Sequence, residues 1–202
     1  MMKTLLILFF LGSMNSVFAD SPLTSTDFYK AYLDVPLVAK TSKSNGVLTT
    51  EIFDYLNSKS ISIDKKIAVI NALKWNMKGK YNAGLYLKNI LLFHKDYSPA
   101  NFYNKASAEE LICYAYLKAM DNYFDVKKAS LFSLQATKRS PNSYTIAIVN
   151  QLIKAQLISH KNWCEVYTGI NNIRENKKLK IDFRIGASDI IFNYTDIYKV
   201  HC

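Results

Sequence analysis

Ser107-Ala108-Glu109-Glu110-Leu111-Ile112-Cys113-Tyr114-Ala115-Tyr116-Leu117-Lys118-Ala119-Met120-Asp121-Asn122-Tyr123 is the stretch that decides the fold. Its first four residues form a capping box. The serine hydroxyl and the glutamate carboxylate three residues on can each satisfy an amide that a helix start leaves orphaned. The helix that follows, to about residue 123, is apolar on most faces (Leu111, Ile112, Cys113, Ala115, Leu117, Ala119, Met120). A helix apolar nearly all round belongs at the centre of a domain, so its neighbours must be layers packed around it.

The helical period continues on both sides. Downstream, Asp125 caps a helix over 126–139, Pro141 breaks it, and Ser143 caps another to about 158. Ser159 opens a helix through Trp163, Val166, Tyr167, Ile170 and Ile173, and residues 176–180 form a polar turn. The last helix, from Asp182, carries Phe183, Ala187, Ile190, Ile191, Tyr194, Ile197 and Tyr198 on one face and Asp182, Asp189 and Asp196 on the other. Upstream, 95–106 is the longest irregular stretch, preceded by a helix over 81–94 and a turn at 76–80. A helix from Ser62 to Trp75 bears the stripe Ile63, Ile67, Ile70. Earlier come a helix from Thr49 or Thr50 to about 58, a loop at 41–46, and a short helix over 27–33 stopped before Pro36. The sum is an all-α chain of about eight helices. Short connections make consecutive helices antiparallel neighbours, giving stacked helical hairpins, either an irregular α-solenoid or an orthogonal bundle. Ile67, Ile70, Leu111, Ala115, Val149, Ile153, Ile170, Ile190 and Tyr194 are the expected core. Gly84, Gly169 and Gly186 fall inside helices, where close helix crossings would explain them.

Composition agrees. Among 202 residues there are 6 Gly and 4 Pro, too few chain-breakers for a turn-rich β-sandwich or barrel. Asp64-Lys65-Lys66-Ile67-Ala68 and Asp125-Val126-Lys127-Lys128-Ala129 each start a helix, with Leu73 and Leu134 nine residues after the Asp. This resembles the second helix of a HEAT-type repeat, over about ten residues twice. The two starts lie 61 residues apart, which is not a whole number of the usual repeat lengths. The resemblance implies stacked hairpins rather than a closed four-helix bundle.

Residues 1–19 read as a cleaved secretory signal: Lys3, the apolar run Leu5 to Leu11, and Val17-Phe18-Ala19 before Asp20. Residues 20–202 then form a single helical domain, expected to be periplasmic or secreted. No later stretch is long and apolar enough to span a bilayer. Export permits a disulfide. Of Cys113, Cys164 and Cys202, the first sits in the apolar central helix, which leaves Cys164 to pair with Cys202.

The formal charge is +10, yet only Arg139, Arg174 and Arg184 among 26 basic residues are arginine. Arginine is the usual bidentate phosphate ligand, so nucleic acid is a poor fit. Abundant Asn, Ile, Tyr and Lys match an AT-rich coding bias. Cys113 lies in the most apolar helix, where a thiolate is disfavoured, His160 follows the capping Ser159, and His201-Cys202 offers two metal ligands at most; with no CxxC, HExxH, acidic calcium loop or glycine-rich phosphate loop, neither cofactor nor metal is expected. His94 ends a helix, where a cation suits the dipole. Tyr97, Phe102 and Tyr103 lie in the long loop, as interface anchors do, unless they fold back over the core. Most of the 14 tyrosines read as core or boundary residues with the hydroxyl at the surface. Alternating helix directions place 95–106, 140–142 and 176–181 at one end, with Lys138, Arg139, Lys177, Lys178 and Lys180. The expectation is an exported, non-enzymatic protein-binding module, such as an inhibitor or immunity-type protein of the bacterial envelope. Its partner would be an acidic protein, with an anionic envelope polymer as the other candidate. The alternative is a cell-wall hydrolase-like enzyme using Glu109 or Glu110.

Overall fold

The computed structural model describes residues 21–158 and 162–202. The expected signal at 1–19 and the cap at Ser159 lie outside the described residues. Those residues hold eleven α-helices, two 3-10 helices and no strand. The helices are α1 (Pro22–Ser25), α2 (Pro36–Ser42), α3 (Thr50–Asn57), α4 (Ile63–Ala72), α5 (Asn82–Phe93) and α6 (Phe102–Lys105). They continue with α7 (Ala108–Asp121), α8 (Lys127–Arg139), α9 (Tyr144–Ile158), α10 (Trp163–Glu175) and α11 (Ile185–Thr195). The 3-10 helices cover Phe28–Tyr32 and Asp196–His201.

The count exceeds eight because three short elements join the long ones. Pro36 does not only stop what precedes it: it opens α2, since its fixed φ and missing N–H suit a first helical turn. Chain 41–46, expected as loop, is therefore helical to Ser42. In α7 both halves of the capping box form, Ser107 Oγ accepting from Glu110 N at 3.2 Å and Glu110 Oε2 from Ser107 N at 2.7 Å.

The helix α7 is central. Leu111, Ile112, Cys113, Ala115, Tyr116 and Ala119 are fully or almost fully enclosed, and α4, α5, α8 and α9 all pack against it. Consecutive helices α7 to α10 pair as antiparallel hairpins. The first elements close the array: α1 packs on α9 and α11, and the 28–32 turn packs on α4 and α11. Asn71 fastens that closure. Its side chain accepts from Tyr29 N at 2.9 Å and donates to Thr26 O at 3.1 Å and Tyr116 Oη at 2.8 Å. A buried amide with its groups satisfied fixes one arrangement of the segments it joins.

Several expectations change. Ile190 and Tyr194 are half-buried, because α11 lies at the edge of the array. Tyr32, Tyr86 and Tyr116 are enclosed with their hydroxyls; burial raises the pKa of all three. Gly169 makes room for the side chain of Gln151 from α9, whereas Gly84 lies beneath the ring of Tyr81, the residue just before its own helix, so no crossing explains it. Asp182 precedes α11 and caps α9 instead, accepting from Ser143 Oγ and Thr145 N at 2.7 Å each. Asp196 is paired with Arg174 at 2.7 Å, so the acidic stripe dissolves into separate roles.

Cys164 and Cys202 form a disulfide with Cα atoms 4.9 Å apart. It ties the final 3-10 helix to the start of α10 beside a small second core of Ala155, Val166 and Tyr198, where Trp163 stacks on Tyr198 at 4.5 Å. Cys113 is a buried free thiol, pushed up to about 12 by desolvation. A thiolate is disfavoured there, which leaves the residue a small hydrophobe.

Candidate functional site

Four chain segments meet at the end of the bundle where α7 begins. Arg139, closing α8, donates to the carbonyls of Tyr103, Asn104 and Ala106. Lys180 N donates to Asn142 O at 2.7 Å, and Tyr144 N donates to Lys180 O at 3.2 Å. These bonds join the turns at 103–106, 139–144 and 180 side by side. The start of α4 joins them, since Lys59 and Ile63 share a depression of about 460 Å³ with Ser107, Arg139 and Asp182.

A second depression, of about 390 Å³, adjoins the first through Lys59, Ser107 and Glu109 and extends to Asp54, Lys66 and His94. Together they make one groove edged by charged side chains. Its two glutamates, Glu109 and Glu110, are spent on neighbours. Glu109 Oε2 lies 2.6 Å from Lys66 Nζ, whose side chain is 3% exposed. Glu110 Oε1 lies 2.8 Å from His94 Nε2, while its other oxygen receives the Ser107 amide and the Tyr97 hydroxyl, the latter at 3.4 Å. The His94 ring stacks on Tyr97 at 4.4 Å.

These contacts bear on the expected catalytic carboxylates. Glu109 has the Lys66 ammonium against it. Glu110 is locked into a helix cap. Glu109 cannot swing onto a substrate without leaving buried Lys66 unpaired, and Glu110 cannot without giving up the Ser107 amide and His94.

The expected aromatic anchors are placed unevenly. Phe102 is 1% exposed and packs on Tyr114 and Phe132, so it caps the core and leaves the candidate surface. The reason lies in α6: its single turn points Phe102 inward and leaves Tyr103 and Lys105 outward. Tyr97 and Tyr103 are half-buried. Tyr103 rests edge-on against Phe132 at 5.3 Å. Lys138, Lys177, Lys178 and Lys180 are exposed and make no ion pair among the described residues. Arg139 is consumed by backbone carbonyls, which removes it as a free recognition group.

Two groove residues escaped the sequence reading. Lys66 sits at a position the stripe Ile63, Ile67, Ile70 assigns to the core, which is a legible signal of a buried and paired cation. His94 carries no such signal, since its partner is 16 residues away. Among the described residues no three His, Cys, Asp or Glu side chains gather as a metal site would require. No helix among them is long and apolar enough to cross a membrane.

No protein-family model matches the chain, and no curated protein or solved structure matches it. The functional reading therefore rests on the residues themselves.

Proposed function

We propose that this chain is an exported, non-enzymatic helical module that binds an acidic protein through the end of the bundle where α7 begins. One observation carries the reading. Lys138, Lys177, Lys178 and Lys180 stand exposed and without an ion pair among the described residues, beside a groove where Glu109 is held by Lys66 and Glu110 by His94. Tyr97 and Tyr103 supply half-exposed aromatic surface on the same end. Unmatched charge at the rim of an interface steers partners of opposite sign and sets association rate more than final affinity. An inhibitor or immunity-type role in a bacterial envelope suits such a surface, because it needs specific capture and no chemistry.

The test uses the chain from Asp20 onward as bait in envelope extract, alongside the variant K177E/K178E/K180E. The expected result is an acidic protein retained by the wild type at low salt and lost both in the variant and at high salt. Identical capture by both baits contradicts the proposal. Retention of an anionic polymer without protein contradicts it as well.

A further inference from the structure

Two open stripes run along α5 and α8. The outward positions are Tyr81, Leu85, Lys88 and Leu92 on the first, and Lys127, Leu131, Leu134 and Lys138 on the second, each set spaced four, three and four residues apart. The opposite faces, Ala83, Tyr86 and Ile90 in α5 and Ala129, Ser133 and Ala136 in α8, are buried. Leu85 is half-buried and the rest of both stripes is exposed, Tyr81 at 73% and Leu92 at 72%. The two helices border one side of α7. The chain of α5 runs from Ala83, bonded to Asp121, to His94, bonded to Glu110, so it is antiparallel to α7, as α8 is. Tyr114 of α7 packs on Phe132 of α8 with ring centroids 4.7 Å apart; burial raises its pKa and the nearness of Tyr81 adds to the rise. One α7 side chain thus meets α8 on one hand and the start of α5 on the other.

We propose that this flank docks on an anionic phospholipid bilayer. Charge names the occupant. Neither α5 nor α8 contains Asp or Glu. Lys88, Lys127 and Lys128 are exposed and have no ion pair among the described residues. The acids closest in sequence do not cancel them. Asp121 is buried and bonded to Ala83 N, and Asp96 pairs with Lys105 at 3.0 Å. Asp125, whose carboxylate accepts from Lys127 N at 3.4 Å, offsets one charge at most. A second copy would bring the same lysines and no acid against them, so charge opposes self-association through this flank.

The relief suits a bilayer as well. Leu92, Leu131 and Leu134 project singly, so they ask for a soft apolar medium rather than a shaped partner. Over Gly84 a shallow trough of about 390 Å³ runs between Tyr81, Leu87, Leu91 and Leu92, with Lys88 on its edge. Apolar side chains interleaved with lysine are the pattern of helices that lie in a membrane interface, where the leucines enter the headgroup boundary and the ammonium groups meet phosphates. No helix among the described residues is long and apolar enough to cross a membrane, so the contact is peripheral. Lys138 also stands at the proposed protein-binding end and is left out of the test.

The test is flotation of the chain from Asp20 onward, which holds every described residue, with vesicles of phosphatidylcholine alone or mixed with phosphatidylglycerol. The wild type is expected to partition onto the anionic vesicles roughly tenfold or more above the neutral ones. K88E/K127E/K128E is expected to abolish that preference, whereas K177E/K178E/K180E, at the proposed protein-binding end, keeps most of it. L92S/L131S/L134S, at exposed positions, is expected to lower anionic partition roughly tenfold with helicity retained. Absence of flotation with the anionic vesicles overturns the proposal, whatever protein or second copy the flank then binds. So does equal partition of the wild type onto both vesicles, a comparison that needs no variant to fold. Loss of flotation in K177E/K178E/K180E with retention in K88E/K127E/K128E assigns the lipid contact to the other end and overturns it too. Wild-type partition by a folded L92S/L131S/L134S protein does the same.

Discussion

At its N-terminal end α7 carries Glu109 and Glu110 beside Lys66 and His94. At its C-terminal end it carries Asp121, with no cation within ion-pair distance among the described residues. Both ends place acid in a half-enclosed setting, yet the physics differs in sign. A helix N-terminus presents unpaired amides and a partial positive charge, so acid there is favoured. A helix C-terminus presents carbonyls, so acid there opposes the dipole. Asp121 is retained by another service: its Oδ2 accepts from Ala83 N at 2.7 Å at the start of α5, while its Oδ1 has no partner. Desolvation raises its carboxyl above the ordinary range. One end of the helix is wired by the Lys66–Glu109 ion pair and the His94–Glu110 contact, and the other holds a carboxylate that burial penalises.

Breaking the matched end gives the largest expected effect. Glu109→Gln leaves the Lys66 ammonium buried without its counter-charge. Loss of about 2 kcal/mol is expected in urea unfolding, below the roughly 3–5 kcal/mol of a fully buried pair because Glu109 is half exposed. Removing both charges, in Lys66→Met with Glu109→Gln, should recover most of that loss. Equal losses in the single and double variants would show that the pair is not coupled.

The cap comes next. Ser107→Ala removes the acceptor for Glu110 N, and a loss of about 1 kcal/mol is expected. An unchanged unfolding midpoint would mean that Glu110 alone satisfies the start of the helix.

The smallest effect belongs to Asp121, and its sign is opposite. A carboxyl raised in the folded state contributes stability that is fully present below the unfolded value, about 3.9, and lost as pH rises through the folded value. Asp121→Asn keeps an oxygen for the Ala83 amide and removes the charge. Its melting temperature at pH 7 should equal or exceed the wild type's, and that relative advantage should shrink as pH falls toward 4. A variant that melts well below the wild type at pH 7 would show that the carboxylate is needed ionised.

The same contrast explains what could be read from the chain. The Ser107–Glu110 cap, the enclosed face of α7 and the pairing of Cys164 with Cys202 follow from contiguous patterns or elimination among few residues. Lys66, a lysine on an isoleucine stripe, carried a local signal of a buried cation, although the expected site left it out. The His94–Glu110 contact, the inward turn of Phe102 and the capping of α9 by Asp182 depend on elements that meet only after folding, and no local period encodes them. Pro36 misled because the same ring that ends one helix suits the first turn of another. At the candidate surface the lysines could be named from turn positions, but the loss of Arg139 to three carbonyls could not.

The proposed binding end is tested most directly by association kinetics between the chain and the acidic protein it captures, measured across salt concentrations. The account predicts that K177E/K178E/K180E slows association severalfold or more at low salt and flattens its salt dependence, with dissociation changed little. An association rate and salt slope equal to those of the wild type would contradict it.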